Sequence, residues 1–69
     1  MAERVRLGSL ERGAKIRFLK QPKGIILYDI NSLYIVIGTD GELIGIDRHP
    51  FRGFYTRVSG LEEVVVVER

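Results

Sequence analysis

Fifteen of the 69 residues are isoleucine or valine, and glycines at positions 13, 24, 38, 41, 53 and 60 cut the chain into short runs. β-branched side chains fit the pleated surface of a sheet, while glycine supplies the backbone conformations that tight turns need. No segment keeps a 3.6-residue apolar period over three turns, so the chain has no amphipathic helix signal. The pattern predicts strands over 14–20, 24–30, 33–38, 42–48, 54–58 and 62–68, with a short one at 3–7. An all-β domain follows, either a small barrel or a rolled antiparallel sheet of five to six strands.

Asp40-Gly41 lies between two apolar runs and is a favoured pair for a two-residue type I′ turn, in which both central positions have positive φ. Such a turn sets Thr39 opposite Glu42, Ile37 opposite Ile44, Ile35 opposite Ile46 and Tyr34 opposite Asp47. Directly opposed residues share a face. One face then holds Ile35, Ile37, Ile44 and Ile46 and belongs to the core. The other holds Tyr34, Val36, Gly38, Leu43, Gly45 and Asp47, which is too apolar for open solvent.

Val64, Val65, Val66 and Val67 raise the same question, because consecutive strand residues point to opposite sides of a sheet. Strands apolar on both faces are expected where both faces are covered, and a domain of this size covers one. The surplus points to a homo-oligomer joined through strand faces or edges, with Tyr34, Val36, Leu43, Val65 and Val67 as candidate interface residues. A tight barrel whose bent strands touch the core on both sides accounts for the same pattern. Glu62, Glu63, Glu68 and Arg69 flank the valine run as guards against amyloid-like pairing.

A chain this short holds a single domain, residues 1–69, in which 1–12 form a loosely ordered arm or an edge strand. It buries only about 60% of the surface its unfolded form exposes. With no cysteine to form staples, its stability must come from packing or from partner subunits. Hydrophobic residues at 45% and charged residues at 29% describe a globular chain and not a disordered one. No uncharged apolar stretch approaches the roughly 20 residues of a membrane helix, and Met-Ala-Glu-Arg-Val-Arg lacks a signal-peptide apolar region, so the expected setting is cytoplasmic. Asn31 and Gln21 are the only amides, Met1 the only methionine, and Arg outnumbers Lys eight to three. Such depletion of thermolabile side chains fits a thermophilic source.

The net charge of +2 conceals segregation along the chain. Residues 1–23 carry seven basic and two acidic groups, whereas 24–47 carry Asp29, Asp40, Glu42 and Asp47 with no Lys or Arg. Arg48, Arg52 and Arg57 follow, and 58–69 is acidic again. Either a basic and an acidic face result, which favours a polyanion partner, or strands of opposite charge lie side by side and cancel. Lys15 and Arg17 alternate with Ile16 and Phe18, and Tyr55 and Arg57 with Phe54, Thr56 and Val58. If those strands adjoin, Lys15, Arg17, Tyr55 and Arg57 form a basic stripe with an aromatic ring. Such stripes bind single-stranded nucleic acid, because cations track phosphates and rings stack on bases. An ordinary solvated face, with arginine stems over the aromatics, reads the same in sequence.

Arg48-His49-Pro50-Phe51-Arg52-Gly53 gathers two arginines, the only histidine and a phenylalanine in one proline-stiffened loop. Arg48, His49, Phe51 and Arg52 are therefore candidate contacts, unless Phe51 plugs the sheet and the arginines pair with Asp29 or Asp47. Lys20-Gln21-Pro22-Lys23-Gly24 is a second basic turn. Catalysis has little support: one histidine and no cysteine exclude the usual Cys/His zinc site, and the three serines lack motif context. His49 beside Asp47 or Asp29 would be a commonplace pair. Gly38-Thr39-Asp40-Gly41 joins strand to strand, so it is no phosphate loop. No cofactor is expected, and the chain is not expected to be an enzyme.

Leu10-Glu11-Arg12-Gly13-Ala14-Lys15-Ile16-Arg17-Phe18, a turn entering a basic alternating strand, resembles the lead-in to the first strand of SH3-like barrels. Gly24, Tyr28-Asp29, Asn31, Leu33 and Arg52-Gly53 resemble, in order, features of the Sm-like family of RNA-binding rings. Their spacing departs from that family, with Asp29 and Asn31 two residues apart instead of four, and residues 1–13 lack its N-terminal helix. The resemblance implies an SH3-like or Sm-like barrel, RNA contacts at Asn31 and Arg52, and a ring of six or seven copies. Taken with the charge pattern, the expected function is non-catalytic binding of RNA or single-stranded DNA by a homo-oligomer. The alternative is a structural or adaptor protein that holds another protein through a sheet edge or apolar face.

Overall fold

The computed structural model describes residues 3–22, 32–50, 53 and 55–69. Strands β1 (Glu3–Arg6), β2 (Lys15–Phe18), β3 (Leu33–Asp40), β4 (Leu43–His49), β5 (Thr56–Ser59) and β6 (Glu63–Glu68) form one antiparallel sheet. Their order is β1-β6-β2-β3-β4-β5. The expected strand at 24–30 lies outside the described residues, as do Phe51 and Arg52. Among the described residues there is one 3₁₀ turn, Leu7–Ser9, and no helix long and apolar enough to cross a membrane.

The ladder is not closed, since β1 and β5 remain as edges, but the sheet curls until its corners touch. Leu7 N donates to Glu62 O and Gly8 N to Gly60 O, both at 2.8 Å, and Gly60 N donates to Glu42 O at 2.9 Å. The 3₁₀ turn, the β3–β4 turn and the β5–β6 turn are thereby stitched together at one end. A Cβ on Gly8 would stand 3.1 Å from Gly60 O, and one on Gly60 would stand 3.2 Å from Gly8 Cα. Two backbones can approach this closely because neither position carries a side chain.

Curling encloses Leu7, Leu10, Ala14, Ile16, Phe18, Tyr34, Val36, Ile44, Ile46, Val58 and Val64, with Val5 and Val66 packed at the margin. Phe18 and Tyr34 meet edge to face with ring centroids 5.2 Å apart, a favoured aromatic geometry. Every one of the described core strands contributes alternate residues to this side, as period-two patterning requires.

The hairpin differs from its expected register in two ways. Asp40 pairs with Leu43, so the turn residues are Gly41 and Glu42, not Asp40 and Gly41. Gly41 has φ +65° and no non-glycine described has positive φ. This corresponds to a type II′ turn, which puts its one positive φ on glycine and spares Asp40 the left-handed conformation that type I′ would impose. A β-bulge then leaves Ile37 unpaired between Val36 and Gly38. Beyond it Val36 faces Ile46, Ile35 faces Asp47 and Tyr34 faces Arg48. Compared with expectation β3 has slipped by an odd number, and an odd slip reverses every side chain. Tyr34 and Val36, expected on an interface, are core residues, while Ile35 lies on the opposite face with Leu43, Gly45 and Asp47. Ile44 and Ile46 face inward as expected.

Truncating an enclosed residue should therefore cost far more than truncating the bulge. Ile46→Ala is expected to lose about 2–5 kcal/mol in urea unfolding, and Ile37→Ala markedly less. The type I′ register would give the two isoleucines similar costs. Gly60→Ala should lower the unfolding free energy by about 1–3 kcal/mol through overpacking against Gly8 and Glu42 backbone.

Candidate nucleic-acid interface

The face opposite the core is the outward face. On β2, Lys15 and Arg17 project from it between buried Ile16 and Phe18. The acidic strand β6 lies between β1 and β2, and both Arg4 and Arg17 are opposite Val65. Arg4 and Arg17 thus flank a valine across two strand spacings, or about 10 Å. Arg6 is opposite Glu63 on β6. Two ion pairs neutralise part of the charge: Lys15 Nζ is 2.8 Å from Glu68 Oε1, and Arg69 Nη2 is 2.6 Å from Glu3 Oε1. Lys15, by hydrogen bond and by charge, holds the Glu68 carboxyl below its ordinary range, with a smaller contribution from His49.

Tyr55 and Arg57 belong to the same outward face at its other side. They do not adjoin Lys15 and Arg17, because β3 and β4 intervene and separate β2 from β5 by about 14 Å. The expected stripe is divided by Ile35, Gly45 and Asp47. Tyr55 nonetheless has a defined seat. A Cβ built on Gly45 would lie 2.7 Å from Tyr55 Oη and 3.1 Å from Cε2 and Cζ, so the distal part of the ring lies over the glycine backbone. Tyr55 is 54% exposed and Gly45 is buried. Arg57 is opposite Gly45 in the β4–β5 register.

The loop after β4 is tied down by Asp47, which is 7% exposed. Its Oδ1 accepts from Arg48 N at 2.8 Å and Gly53 N at 3.2 Å, and its Oδ2 from Gly53 N at 3.3 Å. Gly53 is thereby held against the carboxylate of Asp47. The His49-Pro50 peptide bond is cis. His49 projects outward, half-buried, whereas Arg48 lies on the inward side opposite Tyr34. Of the five interface candidates, Leu43 at 40% and Val67 at 49% are exposed, Val65 is half-buried between arginines, and Tyr34 and Val36 are enclosed.

A cavity of about 470 Å³ opens where the three turns meet, lined by Arg6, Ser9, Thr39, Glu42, Ser59 and Leu61 among others. It contains one cation and one carboxylate, so its charge does not single out an anion. Among the described residues no three His, Asp or Glu side chains converge as a metal ligand set. Sequence reasoning overlooked Arg4, because residues 1–12 read as an arm or edge strand with no face assigned. It placed Gly45 on a sheet face, but no sequence signal connects Gly45 to Tyr55.

Glu68 offers a direct check on the ion pair. A folded carboxyl held below its ordinary value stabilises the fold at neutral pH, and that contribution is lost as pH falls through the folded value. Lys15→Ala should raise the Glu68 titration midpoint, followed by NMR of the side-chain carbonyl carbon; an unchanged midpoint would disprove the pairing.

No protein-family model, curated protein or solved structure matches the chain, so the use of this face is inferred from its own chemistry.

Proposed function

We propose that the outward sheet face binds RNA or single-stranded DNA without catalysis. The observation that carries this reading is the projection of Arg4, Lys15, Arg17, Tyr55 and Arg57 from one face of one sheet, with the core on the other. From β1 to β5 that face extends about 24 Å along the sheet. Cations at both sides of it can follow a phosphate backbone across Ile35 and Gly45, and flexible Arg and Lys stems do not demand a regular duplex. The described residues include no helix for a major groove, which favours single strands over specific duplex sequence.

Self-association is part of the proposal. Leu43 and Val67 are large apolar side chains left open on the outward face, and Leu61 is exposed at the β5–β6 turn. Strand addition of a foreign peptide has less support, because the edges β1 and β5 are four residues each and carry arginines, features that guard an edge.

Binding to a fluorescent oligonucleotide across a salt series tests the reading. Affinity should fall steeply with salt, and Arg4→Ala or Arg17→Ala should each reduce the log–log slope by about 0.7, the share of one phosphate on a single strand. Arg12→Ala, beside a separate cavity near Arg69, should leave the slope unchanged. Absence of binding to RNA and to single-stranded DNA at low salt would refute the function. Light scattering at high micromolar concentration should give a mass above 7.9 kDa; a strictly monomeric mass would remove self-association from it.

A further inference from the structure

We infer that Tyr55, seated on Gly45, is a one-sided stacking platform that receives a single unpaired base, and that Gly45 is the residue that positions it. This rests on the nucleic-acid reading above and adds which group of the ligand is recognised and how.

A tyrosine at the entry to an edge strand ordinarily leans on its neighbours' side chains. At Gly45 there is none. The ring settles over backbone, as the 2.7 and 3.1 Å approaches to a hypothetical Cβ require. The ring is thereby held at its Oη, Cε2 and Cζ atoms against Gly45 while 54% of the residue stays open to solvent. Backing matters because tyrosine has two side-chain torsions to fix, and a ring already held has less entropy to lose on binding. What fits the open side is a planar π surface. A duplex keeps its bases in mutual stacks, so a free base face is offered by a single strand. Arg57, opposite Gly45, places a cation beside the platform where the phosphate of the stacked nucleotide can lie.

Gly45 contributes without touching the ligand. A methyl there would meet the far end of the tyrosine, not backbone, so the ring would lift off while the sheet kept its ladder. A buried glycine inside a strand paired on both sides is otherwise a weakness, since it packs nothing.

The test uses a 12-nucleotide single strand and its duplex at low salt, with wild type, Tyr55→Phe, Tyr55→Ala and Gly45→Ala. Tyr55→Ala should weaken single-strand binding about 5- to 150-fold, the range of one stacked base. Tyr55→Phe should stay within about threefold of wild type, since it keeps the ring. Gly45→Ala should weaken binding several-fold with circular dichroism unchanged. The chain has three tyrosines and no tryptophan, so stacking is also seen as quenching of tyrosine emission. That quenching should vanish in Tyr55→Phe although affinity persists. Wild-type affinity in Tyr55→Ala, persistent quenching in Tyr55→Phe, or equal affinity for the duplex would each overturn the platform and leave the basic face standing. Failure of wild type to bind the strand at all would instead remove the nucleic-acid reading and the platform with it.

Discussion

The register of β3 on β4 is the constraint from which the remaining geometry follows. Gly41 takes the single left-handed turn position, Ile37 is set aside as a bulge, and together they decide which side of β3 faces the core. With Tyr34 and Val36 inward, Phe18 finds its edge-to-face partner and the sheet can curl around them. With Ile35, Gly45 and Asp47 outward, the face opposite has a flat centre and a buried carboxylate to anchor the following loop. A turn of the other type would have exchanged these roles.

Charge segregation is resolved in both of the ways available to it. Basic β1 and β2 enclose acidic β6, so Lys15 and Glu68 cancel locally, as do Arg69 and Glu3. Exposed pairs of this kind add little stability. Their effect is to leave Arg4 and Arg17, spaced around Val65, as the basic feature of that half of the face. The valines of β6 consequently serve both sides: Val64 lies in the core and Val65 separates two arginines.

Class, strand positions and the inward side of β2, β4 and β5 were legible because alternation over four or more residues has one reading. The side of β3 was not. Asp40-Gly41 and Gly41-Glu42 are both plausible turn pairs, and nothing in Ile35-Val36-Ile37 marks which residue bulges, since all three are apolar and β-branched. The basic stripe failed for a different reason: sequence gives each strand's faces but not the strand order, and β3 and β4 came between β2 and β5. Asp47 also accepts from backbone, at Arg48 N and Gly53 N, contacts that composition does not display.

The pairing of β1 with β6 joins residues 3–6 to residues 63–66. Loop closure over that separation comes at an entropic cost before any contact repays it, and topologies dominated by such pairings fold slowly. The hairpin of β3 and β4 is local and can form early, but β2 acquires its second neighbour, and β1 its first, when the C-terminal strand arrives. Arg4 and Arg17 are on opposite sides of β6, so the basic half of the outward face depends on that strand docking between β1 and β2.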